Sequence, residues 1–246
     1  MAKNILKIVG FFVIGMVGGI FADQIFWPYF IERPLFHEYR LEQSPVYVTE
    51  KKEIIIQENT ALREAIEKVE KTVVGVKTQT KAGKLLEGSG LIVTSDGLIV
   101  TLAELVPQGS DFSFFVEGKV VSYQILKRDL ERNLALVKLG ESRLPTVVFA
   151  DFNKLKQGER VFLVAVGISE EDKSSSLPFT GVQVVNEGIV KSFDKDLIET
   201  NIIETDNAKG SPLFNIAGEV LGLNTLDAAG GVISLPIPQI KEFIGM

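Results

Sequence analysis

The sequence predicts an all-β fold, an antiparallel barrel or sandwich preceded by one membrane helix. From residue 72 onward the 246-residue chain consists mainly of short runs rich in Val, Ile, Leu and Phe. Turn signals such as SDG, EGK, NEG and AGG separate these runs. Many short strands at this spacing are typical of antiparallel barrels and sandwiches, and closure into barrels would remove exposed sheet edges.

The first predicted element is a membrane helix. Residues 8–22, IVGFFVIGMVGGIFA, form an uninterrupted apolar run, with Lys3 and Lys7 before it and the aromatic cluster FWPYF at 26–30 after it. Aromatic side chains are enriched at membrane interfaces, and a lysine near a helix end can extend its ammonium group to the headgroups. We assign residues 1–25 to a membrane anchor.

A cleavable signal peptide is the alternative interpretation of this segment. A cleavage site needs two small residues at set positions, but Ile20 and Ala22 stand there before Asp23. An uncleaved anchor is therefore favoured. Because the lysines lie on the N-terminal side, we expect a single-pass protein of the cell membrane, with its N-terminus cytoplasmic and the rest of the chain outside.

Residues 26–58 are predicted to be an extracytoplasmic linker. Within it, residues 46–57 are expected to form a strand or an extended segment. The only histidine of the chain, His37, lies in this linker without a partner constellation, so we expect a surface residue and not a catalytic one. Three prolines interrupt any long helix here: Pro28, Pro34 and Pro45.

Residues 59–246 are predicted to form one β-rich domain with short flanking helices. The first helix is expected to be capped by Asn59 or Thr60 and to share one apolar face among Leu62, Ala65, Ile66 and Val69. The last is expected over PQIKEFI near the C-terminus.

Composition excludes several function classes. The net charge of -6 and the lack of a basic stripe argue against a nucleic-acid partner. Because the chain has no cysteine, disulfides, thiolate metal sites and cysteine nucleophiles are excluded. We predict neither a metal site nor a cofactor.

Three segments carry a resemblance to a known family. GSGLIVTSDGLIVTLAELV at 88–106, RDLERNLALVKL at 128–139 and TDNAKGSPLFNIAGEVLGLNT at 205–225 resemble the histidine, aspartate and serine motifs of the HtrA (DegP-like) serine proteases, in the same order. The resemblance covers about residues 58–246 and implies the double six-stranded antiparallel β-barrel of trypsin-like proteases. It also implies a homo-oligomer, a trimer in the family. We expect the family's C-terminal PDZ module to be absent.

The departures from the family fall on the catalytic triad. The resemblance places Glu104 at the histidine position, Asn133 at the aspartate position and Lys209 at the serine position. The triad needs a hydroxyl, an imidazole that activates it and a carboxylate that orients the imidazole, so no standard mechanism is retained. By resemblance, Glu104 and Lys209 face each other across the barrel interface, close enough for an ion pair. The alternative is that each is a solvated side chain, Glu104 at a strand end and Lys209 in a turn.

Non-catalytic binding is therefore the predicted function. By resemblance, an extended or unfolded polypeptide would bind along Val232, Ile233 and Ser234, with Ile203 as the floor of an apolar pocket. Asn207, which replaces a loop glycine, makes the oxyanion donors doubtful. Two alternatives remain: serine endopeptidase activity from Ser211 with Lys209 as its base, and a purely architectural, self-associating membrane protein.

Overall fold

A computed structural model describes residues 2–31, 58–167 and 182–246. The chain divides into two compact units, Met1–Ile55 and Ile56–Met246. The predicted linker strand at 46–57 and His37 lie outside the described residues. Residues 179–181, the start of an apolar run predicted to continue as a strand at Val182, also lie outside the described residues.

The first unit is helical over its described part. Helix α1 spans Ala2–Phe21, and a π-helical segment continues it over Ala22–Ile31. The helix over Lys3–Ile25 is long and apolar enough to cross a membrane, and an N-terminal signal sequence can have the same length and apolar character. The structure therefore supports an apolar N-terminal helix, whereas anchoring and orientation stay predictions.

The second unit consists of two antiparallel sheets with short helices, so the predicted all-β fold class is confirmed. Helix α2 spans Glu58–Val69 and helix α3 spans Ile237–Ile244. The strands described are β1 Val73–Gln79, β2 Leu85–Ile92, β3 Leu98–Leu102, β4 Asp111–Val116, β5 Lys119–Val121, β6 Tyr123–Asp129, β7 Leu134–Leu139, β8 Val148–Phe149, β9 Arg160–Gly167, β10 Val182–Phe193, β11 Ile198–Ile203, β12 Pro212–Asn215, β13 Glu219–Leu226 and β14 Gly231–Pro236.

The first sheet is a half-barrel with the strand order β5-β4-β1-β2-β3-β7-β6. Its terminal strands β5 and β6 follow each other in the chain through Ser122. Side chains bridge the opening between β6 and the start of β4. The Tyr123 ring lies 4.9 Å from that of Phe114, and Nε of Arg128 donates to the carbonyl of Val106 at 2.7 Å.

The second sheet closes into a barrel. Its order is β12-β9-β10-β11-β14-β13, and β12 pairs again with β13 to complete six strands. Strand β8 is added in parallel at Glu219 and Val220 of β13. Inward-facing apolar residues fill the barrel, including Leu163, Ile198 and Leu213, which are fully buried. Strand β10 pairs with β9 over residues 182–189 and with β11 only from Val190 onward.

The two flanking helices pack against the sheets by their apolar faces. In α2, Ala65 and Val69 are buried, while Leu62 and Ile66 are half-buried against the core, as their spacing predicts. The helix begins at Glu58, one or two residues before the predicted caps. Helix α3 ends at Gly245, whose φ of 81° is a left-handed conformation that glycine adopts without steric cost.

The GSG motif at 88–90 joins the two sheets. The hydroxyl of Ser89 accepts a hydrogen bond from Val166 N–H in β9, and the Ser89 N–H donates to the carbonyl of Lys209. Gly88 has no room for a Cβ, which would lie 2.6 Å from that same carbonyl oxygen. This contact fixes the turn that carries Lys209 against the first sheet.

Candidate functional site

Glu104 is presented to solvent by a short 3-10 turn over Ala103–Leu105 that follows β3. The neighbouring side chains Ala103 and Leu105 are buried, whereas the Glu104 side chain is 40% exposed. The apolar neighbours therefore anchor the turn and direct the carboxylate outward.

Asn133 stands immediately before β7 and faces this turn. Its Oδ1 accepts a hydrogen bond from Glu104 N–H at 2.9 Å, and its Nδ2 donates to Oε1 of Glu104 at 3.1 Å. Its backbone φ of 53° lies in the left-handed region, where asparagine is enriched among non-glycine residues. Arg132, next to it, pairs with Glu242 at 2.8 Å, and this contact raises the pKa of the guanidinium above its ordinary value.

Lys209 follows the 3-10 turn Asp206–Ala208. Its Nζ lies 3.0 Å from Oδ1 of Asp206 and 3.8 Å from Oε2 of Glu104. The side chain is 24% exposed, and that of Asp206 is 80% exposed. The positions that the resemblance assigns to the triad thus lie together, joined by Asn133–Glu104 hydrogen bonds and a Glu104–Lys209 ion pair.

The turn around Lys209 uses its own backbone N–H groups. Lys209 N–H donates to Asp206 O at 3.0 Å, Gly210 N–H to Asn224 O at 2.8 Å and Ser211 N–H to Ala208 O at 3.1 Å. An oxyanion site requires such donors to point at the reacting carbonyl. Here the amide of Lys209 is directed into the turn.

Ser211 is fully buried and belongs to a polar chain behind the turn. Its hydroxyl donates to Ala208 O at 2.6 Å and accepts from Nδ2 of Asn224 at 2.9 Å. The Asn224 side chain in turn accepts from Ser234 Oγ at 2.5 Å. The hydroxyl of Ser211 is thus turned away from Lys209 Nζ, whose ion-pair partners are the two carboxylates.

A cavity of about 380 Å³ opens beside the cluster. It brings charged groups of both signs together with apolar side chains. Its lining residues are Lys84, Leu85, Leu86, Glu87, Glu104, Leu105, Asp206, Asn207 and Lys209. A polar chain with apolar side groups fits such a lining, because it can hydrogen-bond to charged groups of both signs and contact the leucines beside them.

The residues predicted to bind peptide are divided between different places. Asn207 lines the cavity beside Lys209, whereas Ile203, Val232 and Ile233 line a separate cavity of about 420 Å³. Ile203 is 73% exposed and so forms a rim, not a floor. Ser234 is buried in the polar chain with Asn224.

Strand β14 differs from the expected peptide-binding edge. It pairs with β11 through Glu199 and Ile233 and with β13 through Thr225 and Ile233. Its backbone is therefore hydrogen-bonded on both sides, and this pairing replaces the free edge that the sequence predicts at Val232, Ile233 and Ser234. Sequence reasoning did not foresee that closing the barrel would occupy both edges.

Two functional contributors were missed from sequence. Asp206 holds Lys209 from three positions earlier in the chain, a D-x-x-K spacing that was visible in the nucleophile segment. Asn224 connects the buried hydroxyls of Ser211 and Ser234, and only the three-dimensional structure brings those residues together. Within the described ranges, no three His, Asp or Glu side chains converge as a metal site would require.

The sequence profile described as a trypsin-like peptidase domain matches residues 88–223. The chain belongs to the trypsin-like peptidase family. Within this family, it is similar to the HtrA proteases. It is 31% identical over 172 residues to the serine protease HTRA1 of Xenopus laevis, covering 64% of this chain and 35% of the relative.

Two mouse relatives give the same result for this trypsin-like peptidase homologue. The serine protease HTRA4 of Mus musculus is 31% identical over 173 residues, covering 64% of this chain and 33% of the relative. HTRA3 of Mus musculus is 30% identical over 181 residues, covering 65% of this chain and 37% of the relative. The chain spans about a third of the length of the curated relatives it matches.

Proposed function

We propose that this trypsin-like peptidase homologue is a catalytically inactive, membrane-anchored protein that binds extended or unfolded polypeptide outside the cytoplasm. The observation that carries the proposal is the cluster formed by Glu104, Asn133 and Lys209, the residues that the resemblance assigns to the triad positions. The HtrA relatives are named serine proteases, and the proposal keeps their polypeptide ligand while dropping hydrolysis.

The chemistry of the cluster supports the loss of hydrolysis. A lysine ammonium held by the carboxylates of Asp206 and Glu104 has no free electron pair for attack on a carbonyl carbon. Asn133 cannot stabilise a developing positive charge as a carboxylate would. The Lys209 N–H, directed to Asp206 O, is not available to a developing oxyanion.

The burial of Ser211 supports the same conclusion. A serine nucleophile must reach the substrate carbonyl and must donate its proton to a base. Ser211 instead donates to Ala208 O, is fully buried, and has the side chain of Asn224 as its other partner. The alternative Ser211/Lys209 mechanism would need this turn to rearrange.

The N-terminal helix supports the proposed location. Lys3–Ile25 suits a membrane span, and Lys3 and Lys7 would hold the N-terminal side in the cytoplasm. The domain would then meet its polypeptide ligand at the outer surface, through the cavity at Asn207 and the cavity lined by the exposed Ile203 and the half-buried Ile233.

Incubation of the full chain in lipid nanodiscs with β-casein, an unfolded substrate, tests the proposal. Mass spectrometry would follow cleavage, and fluorescence anisotropy would follow binding of fluorescein-labelled casein. We expect binding without cleavage. Cleavage by the native chain that a Lys209→Ala, Ser211→Ala double variant lacks would overturn the inactive assignment, and absence of casein binding would overturn the binding assignment.

A further inference from the structure

The Glu104–Lys209 pair leaves an unfilled hydrogen-bonding position in the cavity. The 3.8 Å between Nζ of Lys209 and Oε2 of Glu104 is an ion-pair distance, longer than a hydrogen bond. Oε1 of Glu104 is occupied by Asn133, whereas among the described residues no hydrogen bond to Oε2 is found. One donor and one acceptor therefore stand side by side at the cavity wall.

This donor and acceptor are complementary to the polar groups of one residue in an extended chain. In an antiparallel sheet, a residue of a hydrogen-bonded pair uses its N–H and its C=O on the same side, toward one partner residue. Lys209 Nζ can donate to such a C=O, and Glu104 Oε2 can accept from the N–H of the same residue. The side-chain pair thus offers what a strand residue would offer.

We propose that Glu104 and Lys209 together bind the backbone of one residue of an extended polypeptide, in place of the amide donors of an oxyanion site. This inference rests on the proposed polypeptide-binding function. It gives Lys209 a specific role, because the backbone amides of Lys209, Gly210 and Ser211 already donate within the protein. A carbonyl that enters the cavity beside this turn can instead accept from the Lys209 side chain.

The lining of the cavity defines the ligand class. A backbone segment is neutral, so it leaves the charge interactions of Lys209 with Glu104 and Asp206 in place. Leu85 and Leu86 offer apolar contacts beside the pair. Binding would not depend on the side chains of the peptide, except that the bound residue cannot be proline, because proline has no backbone N–H.

The test uses the full chain in nanodiscs and an uncharged peptide of alternating Thr and Val that carries an uncharged fluorophore, compared with the same peptide N-methylated at every residue. We expect N-methylation to weaken binding about ten- to hundredfold, the effect of losing a hydrogen bond to a charged group. Lys209→Met should weaken binding of the unmodified peptide to a similar degree. Lys209→Arg keeps a donor and should bind within about threefold of the native chain.

Two comparisons make the test specific. In Glu104→Met the discrimination against N-methylation should disappear, because the acceptor of the N–H is gone. Lys154→Met is the matched control, since Lys154 is 83% exposed and pairs only with Asp151 among the described contacts. It should bind like the native chain. Thermal unfolding of each variant checks its fold, and the two peptides on the native chain test the inference even if a variant unfolds.

The outcomes separate this inference from the proposed function. If the native chain binds both peptides equally and Lys209→Met binds as well as Lys209→Arg, the backbone role of the pair is wrong while polypeptide binding stands. If the native chain binds neither the peptides nor casein, both are wrong. Binding that requires a charged peptide and falls steeply with salt would also overturn recognition of a neutral backbone.

Discussion

Asn133 holds Glu104 at two points, the backbone and the side chain. The Asn133 amide oxygen accepts from Glu104 N–H, and the amide nitrogen donates to Glu104 Oε1. An aspartate could make only the first of these contacts, because a carboxylate has no donor. Asn133, which the resemblance assigns to the aspartate position, is thus matched to Glu104, which it assigns to the histidine position.

Asn133→Asp should destabilise the domain at neutral pH by about 1–3 kcal/mol, since it removes a hydrogen bond to a charged group and places two carboxylates in contact. The loss should shrink at high salt, which screens the repulsion between the two partly exposed carboxylates. Urea unfolding at low and high ionic strength measures it. Asn133→Gly is the control, because it loses the amide and adds no charge. A loss for Asn133→Asp that does not vary with ionic strength would contradict the prediction.

Ser211→Ala should destabilise the protein without changing its chemistry. The substitution leaves the buried Asn224 Nδ2 without its Ser211 partner, at a cost of about 1–3 kcal/mol, whereas Ala208 O keeps the Ser211 N–H. Ser192→Ala, which removes a half-buried hydroxyl bonded to Glu199, should cost less. Urea unfolding compares the two variants. A fluorophosphonate probe should not label Ser211 in the native chain, and an adduct found there by mass spectrometry would contradict its structural role.

The fold was largely predictable from sequence, because short apolar runs and turn signals are local features. The half-buried face of α2 and the closing helix follow from spacing alone, and the structure confirms both. Cap positions were less predictable. The start of α2 at Glu58 precedes Asn59 and Thr60, since helix ends depend on competing local hydrogen bonds.

The site was predictable only where a motif fixes a position along the chain. Aligned segments identified Glu104, Asn133 and Lys209, and the structure brings them together. The role of Asp206 and the inward direction of the Lys209 N–H depend on the conformation of one turn. The pairing of β14 on both sides depends on barrel closure, a long-range event that no local pattern encodes.

The Asp96–Lys138 contact should make the free energy of unfolding depend on pH in the acid range. A hydrogen bond from Lys138, with a second from Thr94, lowers the pKa of Asp96 below its ordinary value of 3.8. A depressed pKa means that the ionised carboxylate stabilises the folded state above the unfolded pKa, and that this contribution is lost as the pH falls through the folded value.

Lys138→Met should therefore raise the pKa of Asp96 toward 3.8, as measured by carboxyl NMR titration. The stability difference between the native chain and the variant should be full at neutral pH and should narrow below about pH 4. Because the Asp96 side chain is largely exposed, solvent screens the ion pair and the difference in unfolding free energy should be small. A difference that widens in acid would contradict the assignment.

Gly210→Ala should be strongly destabilising, because two independent constraints act at this position. Its φ of 74° is unfavourable for an alanine, and a Cβ would collide with the carbonyl oxygen of Ser89 and lie 3.0 Å from the Leu105 side chain. The clash is with a backbone atom that cannot move without breaking the contact between the sheets, so we expect a loss of unfolding free energy of about 3 kcal/mol or more.

Gly83→Ala is the matched control: its φ is 76°, but no atom lies within 4 Å of the added Cβ. It should cost only about 1 kcal/mol, the backbone part of the effect. Equal losses for the two variants in urea unfolding would show that the packing of Gly210 against Ser89 does not hold the Lys209 turn.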